Sequence, residues 1–72
     1  YLDPKSIFQE KAQEDYGLTP HYRVLKETGP DHNKIFEVGL YIGEELIEKG
    51  KGSSKQEAQV AAAERGVKKK EW

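Results

Sequence analysis

The sequence predicts an α+β domain of order α-β-β-β-α, in which a three-stranded antiparallel sheet carries two helices packed on one face. Three observations point there. A capped helical segment opens the chain and a second one closes it. Between them lie three short runs, two of them clearly alternating in apolarity, separated by turn-forming residues.

The first helix is defined by its ends. Asp3 stands before Pro4, where a carboxylate accepts hydrogen bonds at an N-cap and proline suits the first helical position. The segment runs from Lys5 to about Tyr16, with Gly17 as its terminator and Pro20 just beyond. Phe8 and Ala12 lie four apart and Tyr16 continues the line, so this stripe should face the core. Lys5, Gln9 and Gln13 form the neighbouring stripe, which is wholly polar.

In "HYRVLKE", residues 21–27, Tyr22 and Val24 alternate with polar neighbours as in a half-buried strand. The alternation is clearer in "KIFEVGLYI", which puts Phe36, Val38, Leu40 and Ile42 on one face. Gly43-Glu44 suits a tight II′ hairpin into "ELIEKGKG", residues 45–52, a weaker third strand. Arg23, Glu37 and Tyr41 fall on the opposite sheet face, which should meet water. Ser54 and Glu57 have capping-box spacing, so the last helix should start there. Ala58, Ala61 and Ala62 give it a small-residue stripe for close packing on the sheet. Gly66 weakens that helix by about 1 kcal/mol relative to alanine, with no packing reason visible in the sequence.

Composition bounds the rest. At 72 residues the chain is one domain, residues 1–72, with Leu, Ile, Val and Phe at 15 positions, enough for a thin core. Cysteine is absent, which removes disulfides and thiolate metal sites and fits a reducing compartment. No apolar run approaches the ~20 residues a bilayer demands, so no membrane partner is expected and the chain reads as cytoplasmic. The net charge of −1 gives no bulk sign of a polyanionic partner, so a nucleic-acid role must rest on where the lysines sit.

Three segments carry chemistry. Gln9 and Gln13 are one turn apart, and their amides both donate and accept. That suits hydroxyl-rich partners such as the ribose 2′-OH groups of an RNA minor groove; the same spacing serves an ordinary solvated face. "GPDHNK", residues 29–34, is a proline-stiffened loop that would lose little entropy on docking, and it equally suits a simple hairpin turn. Asp31 with His32 is half a metal site, and no matching ligand pair occurs elsewhere. The helix N-terminus after Ser54 offers free N–H groups to a phosphate. Lys55 lies in its first turn, where a cation opposes the helix dipole unless an anion is bound nearby. Gly50 and Gly52 leave backbone accessible around Lys51. A solvated lysine-containing cap is the plain alternative. Lys68, Lys69 and Lys70 read either as a basic patch or, preferably, as cations favoured at a helix C-terminus.

These motifs, in this order, resemble a known family. From "DPKSIFQE" through "GPDHNKIFEVGLYIG" to "GKGSSKQEAQVAAA" the chain resembles the double-stranded RNA-binding domain, and more narrowly the C-terminal domain of bacterial ribonuclease III. The resemblance implies an interface of three regions. Ser6, Gln9, Glu10 and Gln13 would meet one minor groove, and Pro30, Asp31 and His32, with Lys34 at the edge, the next. Lys51, Ser54, Lys55 and Gln56 would meet phosphates across the major groove between them. A domain of this kind spans about 16 base pairs and reads shape more than sequence.

Two departures stand out. Gln56 takes the place of a second lysine, and Gln59 that of an occasional third basic residue, which implies weaker binding and a shallower salt dependence. Lys11 occupies a place that is often apolar. The resemblance further implies a parent endoribonuclease that cuts duplex RNA with a separate, magnesium-dependent domain and dimerises through it. No catalytic residue or cofactor is expected in this chain, which carries no nucleophile–base pair and no phosphate-cradling motif. A protein-interaction or dimerisation module on the same fold is the competing reading.

Overall fold

A computed structural model describes residues 3–72. The elements follow in the order α1 (Pro4–Tyr16), β1 (His21–Thr28), β2 (Ile35–Ile42), β3 (Glu45–Gly52) and α2 (Lys55–Lys70). The strands form one antiparallel sheet in the order β1-β2-β3.

Local chemistry sets the ends of these elements. Asp3 caps α1 by accepting from the Ser6 backbone N–H at 2.9 Å, and Gly17 closes the helix in the left-handed region. Gly43 has φ +61 and Glu44 stays outside the positive-φ region, as the II′ hairpin requires. Ser54 caps α2 through the Glu57 N–H. Glu57 reaches back one residue further than in a standard capping box, accepting from both the backbone N–H and the hydroxyl of Ser53.

The core lies between the helices and the inner sheet face. Phe8 and Ala12 of α1, Val38, Leu40 and Ile42 of β2, Ile47 of β3, and Ala58, Ala62 and Ala63 of α2 are buried. Ala63 thus takes the buried place expected of Ala61. Tyr16 is 41% exposed, because the α1 stripe runs off the core at its C-terminal end. Val24 is equally exposed, since the helices cover β2 and β3 and leave β1 largely bare.

Two irregularities re-aim side chains. Leu25 is an extra residue between the pairs Val24↔Val38 and Lys26↔Glu37, and Ile47 is one between Leu46↔Tyr41 and Glu48↔Leu40. The second bulge turns Ile47 into the core and leaves Glu48 on the helix side, where Arg65 Nε meets its carboxylate at 3.3 Å.

Glycine lets α2 lie directly on β3. A β-carbon at Gly50 would stand 2.5 Å from the Ala58 carbonyl oxygen, and one at Gly52 would stand 2.6 Å from Glu57 Cβ. These glycines therefore serve helix packing rather than backbone accessibility. The C-terminus is also tied down. Trp72 packs its ring 4.9 Å from that of Phe8, and its N–H donates to the Val67 carbonyl at 2.9 Å. Lys69 Nζ donates to the Ile47 carbonyl at 2.9 Å and Lys70 Nζ to the Tyr16 hydroxyl, so two of the three terminal lysines hold the fold together.

Candidate nucleic-acid interface

The first candidate segment lies on α1. Gln9, Glu10 and Gln13 are exposed and Ser6 is half-buried beside the cap. Gln13 Nε2 donates to the Thr19 hydroxyl at 2.6 Å, which steadies one end of the amide while its oxygen stays available. The Ser6 backbone N–H holds the Asp3 carboxyl below the usual carboxylate range, so the cap stays ionised and the start of this segment stays fixed.

The second segment is a tight turn. The Asn33 N–H donates to the Pro30 carbonyl at 2.9 Å, which places Asp31 and His32 at the two central positions, both exposed. Gly29, with φ +91, packs against the Asn33 carbonyl so closely that no side chain fits there. Lys34 is committed within the loop: its ammonium lies 3.3 Å from Glu27 Oε1 and 3.8 Å from Asp31 Oδ1. Its charge is already shared between two carboxylates, whereas the His32 imidazole points outward without an ionic partner among the described residues.

The third segment is the N-terminus of α2. Ser54, Lys55 and Gln56 are all exposed. The Ser54 oxygen already accepts from the Glu57 N–H, which leaves its O–H to donate outward. Lys55 pairs with no carboxylate among the described residues. Glu57, the nearest acid in sequence, is turned toward Ser53, whose backbone N–H and hydroxyl hold its carboxyl below the usual range.

Strand pairing relates these segments. Phe36 opposes Gly52 and Thr28 opposes Ile35, so the 29–34 turn and the entry to α2 lie at the same end of the sheet. At the start of α1, Lys5 Nζ donates to Gln59 Oε1 of α2 at 2.7 Å, joining the first segment to the third. Lys51 has a different setting. Its neighbours Gly50 and Gly52 face α2, so Lys51 stands on the outer sheet face in a row with Glu37 and Lys26. Lys5 belongs to the Gln9–Gln13 stripe by spacing, but no local signal reveals its partner 54 positions away.

Comparison with known proteins identifies the family of the chain. The family described as double-stranded RNA binding motif matches residues 4–70. Ribonuclease 3 of Borreliella afzelii (strain PKo) is 50% identical over 68 residues, covering 94% of this chain and 28% of that protein. Ribonuclease 3 of Myxococcus xanthus (strain DK1622) is 46% identical over 68 residues, covering 94% of this chain and 26% of the relative. The chain therefore spans little more than a quarter of the length of these relatives. Among solved structures, that of Dicer from Pichia stipitis superposes with a TM-score of 0.73 at 26% identity, over 90% of this chain and 31% of that one.

Proposed function

This chain belongs to the double-stranded RNA binding motif family, and on that premise we propose that it is the substrate-holding arm of a ribonuclease III-like endoribonuclease. Its own task is to bind duplex RNA. Gln9 and Gln13, with Ser6 and Glu10, meet ribose hydroxyls of one minor groove, and the Pro30–His32 turn meets those of the next. Ser54, Lys55 and Gln56 contact the phosphates between, where the free N–H groups of α2 add to the lysine charge. Lys51 contributes from the sheet edge, and Lys34 chiefly shapes the turn. The observation that carries the reading is the convergence at one end of the sheet of an exposed, hydrogen-bonded turn and a helix N-terminus whose lysine pairs with no carboxylate among the described residues.

The cutting chemistry and its magnesium belong to another domain of the proposed cytoplasmic parent, which dimerises through that domain. This chain would position the duplex and transfer no proton.

A protein-docking reading has one observation behind it. On the outer sheet face Leu25 and Leu46, each 39% exposed, flank Gly39 together with the Tyr41 ring. A titration separates the two. Binding of a ~20-base-pair RNA duplex in preference to the same sequence as DNA supports the RNA reading. Self-association that ignores RNA, and that is lost on Leu46→Lys substitution, would replace it with docking between copies.

A further inference from the structure

Lys5 holds a positive charge in a place that helix stability does not favour. It is the second residue of α1, where an ammonium faces the positive end of the helix dipole, and the acid at that end, the capping Asp3, acts on it only through space without closing an ion pair. The side chain is nevertheless held in place. Its Nζ donates to Gln59 Oε1 at 2.7 Å and lies 5.1 Å from the centroid of the Tyr22 ring. Both partners are neutral. The nearest carboxylate in sequence, Asp3, accepts from the Ser6 N–H, and no carboxylate pairs with Lys5 among the described residues. By contrast Lys11, Lys34 and Arg65 are each ion-paired.

We propose that Lys5 is a phosphate contact of the bound RNA duplex, acting with Lys55 across the seam between the two helices; the inference rests on the RNA-binding reading above. Lys5, Gln9 and Gln13 are spaced four apart along α1, and Lys55 and Gln59 four apart along α2, so each pair or triad lies along one helix face. The bond from Lys5 to Gln59 therefore brings the ammonium from the end of the α1 stripe to the flank of α2 that bears Lys55. Phosphates border each minor groove, so a cation at the junction of a groove-reading stripe and a phosphate-binding helix end stands where a backbone oxygen passes. Its ordering is already met in the free protein by Gln59 and Tyr22, so little conformational freedom is lost on binding. Lys5 thus supplies from α1 a charge that Gln56 and Gln59 do not supply from α2.

The test is the salt dependence of binding to a ~20-base-pair RNA duplex, alongside thermal unfolding, for the parent, Lys5→Gln, Lys5→Arg, Gln59→Glu and Lys55→Ala. Lys5→Gln should bind roughly 5- to 10-fold more weakly near 0.1 M salt, with the slope of log K against log salt reduced in magnitude by about 0.9. Lys5→Arg should retain the parental slope. Gln59→Glu keeps the tether as an ion pair but neutralises the ammonium, so it should lower the slope without lowering the unfolding midpoint. If Lys5→Gln unfolds, Gln59→Glu decides alone. Parental slopes in Lys5→Gln and Gln59→Glu, with a reduced slope in Lys55→Ala, would reduce Lys5 to a structural tie and leave the RNA reading standing. A parent with no preference for duplex RNA over DNA would remove that reading, and this one with it.

Discussion

Gly66 of α2 lies against the Phe8 ring of α1 so closely that a β-carbon there would stand 2.8 Å from Phe8 Cε2 and 2.9 Å from Leu40 Cδ2. Two opposing effects follow for Gly66→Ala. Helix propensity favours alanine by about 1 kcal/mol. Forcing a methyl group into a packed core costs about 1–3 kcal/mol. Because Phe8 and Leu40 are both fully buried and have little room to yield, packing wins. The variant should be less stable than the parent by roughly 1 kcal/mol, read as a lower urea midpoint at unchanged m-value. A raised midpoint would mean that the ring moves aside freely.

Tyr22 presents the opposite case, a polar group whose removal should help. Its hydroxyl is buried without a hydrogen-bond partner among the described residues. Burial, with the nearby Asp3 charge second, pushes its pKa up from 10.0 to about 12. The folded state therefore holds the neutral phenol. As pH rises past about 10 the unfolded chain ionises first, and stability from this residue falls until the folded pKa is reached. Tyr22→Phe should match or exceed the parent at neutral pH, by up to about 1 kcal/mol, since an unsatisfied group is removed and the ring retained. It should also lose less stability than the parent between about pH 10 and 12. Equal alkaline losses in the two proteins would show that the hydroxyl reaches water in the folded state.

How much of this was legible depends on the distance over which each feature is determined. Asp3-Pro4, Gly17, Gly43-Glu44 and Ser54 act within a few residues, and all marked true boundaries. The bulges at Leu25 and Ile47 were not legible, because alternation reads as regular until pairing shows the extra residue. The burial of Gly66 against Phe8, the fold-back of Trp72 and the Lys5–Gln59 bond all join the two ends of the chain. No local period encodes them. The candidate site divides in the same way. Side-chain chemistry and element could be read for Gln9, His32 and Lys55, but not the commitment of Lys34 to Glu27 and Asp31. Nor could the outward face of Lys51, which strand parity decides.

Lys55 and His32 should fail differently when truncated. Lys55 contributes charge at a helix N-terminus, so Lys55→Ala should weaken binding to every duplex sequence and reduce the salt slope by about one. His32 sits at the centre of an exposed turn, where its ring nitrogens offer hydrogen bonds to a ribose. His32→Ala should weaken binding with the salt slope nearly unchanged. Fluorescence anisotropy with a labelled duplex at several salt concentrations reads both. Parental binding by both variants would dismiss the three-segment interface while leaving the fold intact.

Gln56 offers a gain-of-function test of the same surface. It is exposed beside Lys55 in the first turn of α2, and an amide there donates a hydrogen bond but no charge. Gln56→Lys adds a second cation against the positive end of the helix dipole, a placement that should cost the free protein a few tenths of a kcal/mol. With phosphate bound the sign reverses. Affinity for duplex RNA should rise several-fold at low salt, the slope should steepen by about 0.9, and the advantage should shrink as salt is raised. The unfolding midpoint should fall slightly without RNA and recover with it, because a ligand that binds only the folded state adds stability in proportion to its affinity. Unchanged affinity at low salt would mean that position 56 does not face the backbone, and the docking of α2 on the duplex would have to be turned about its axis.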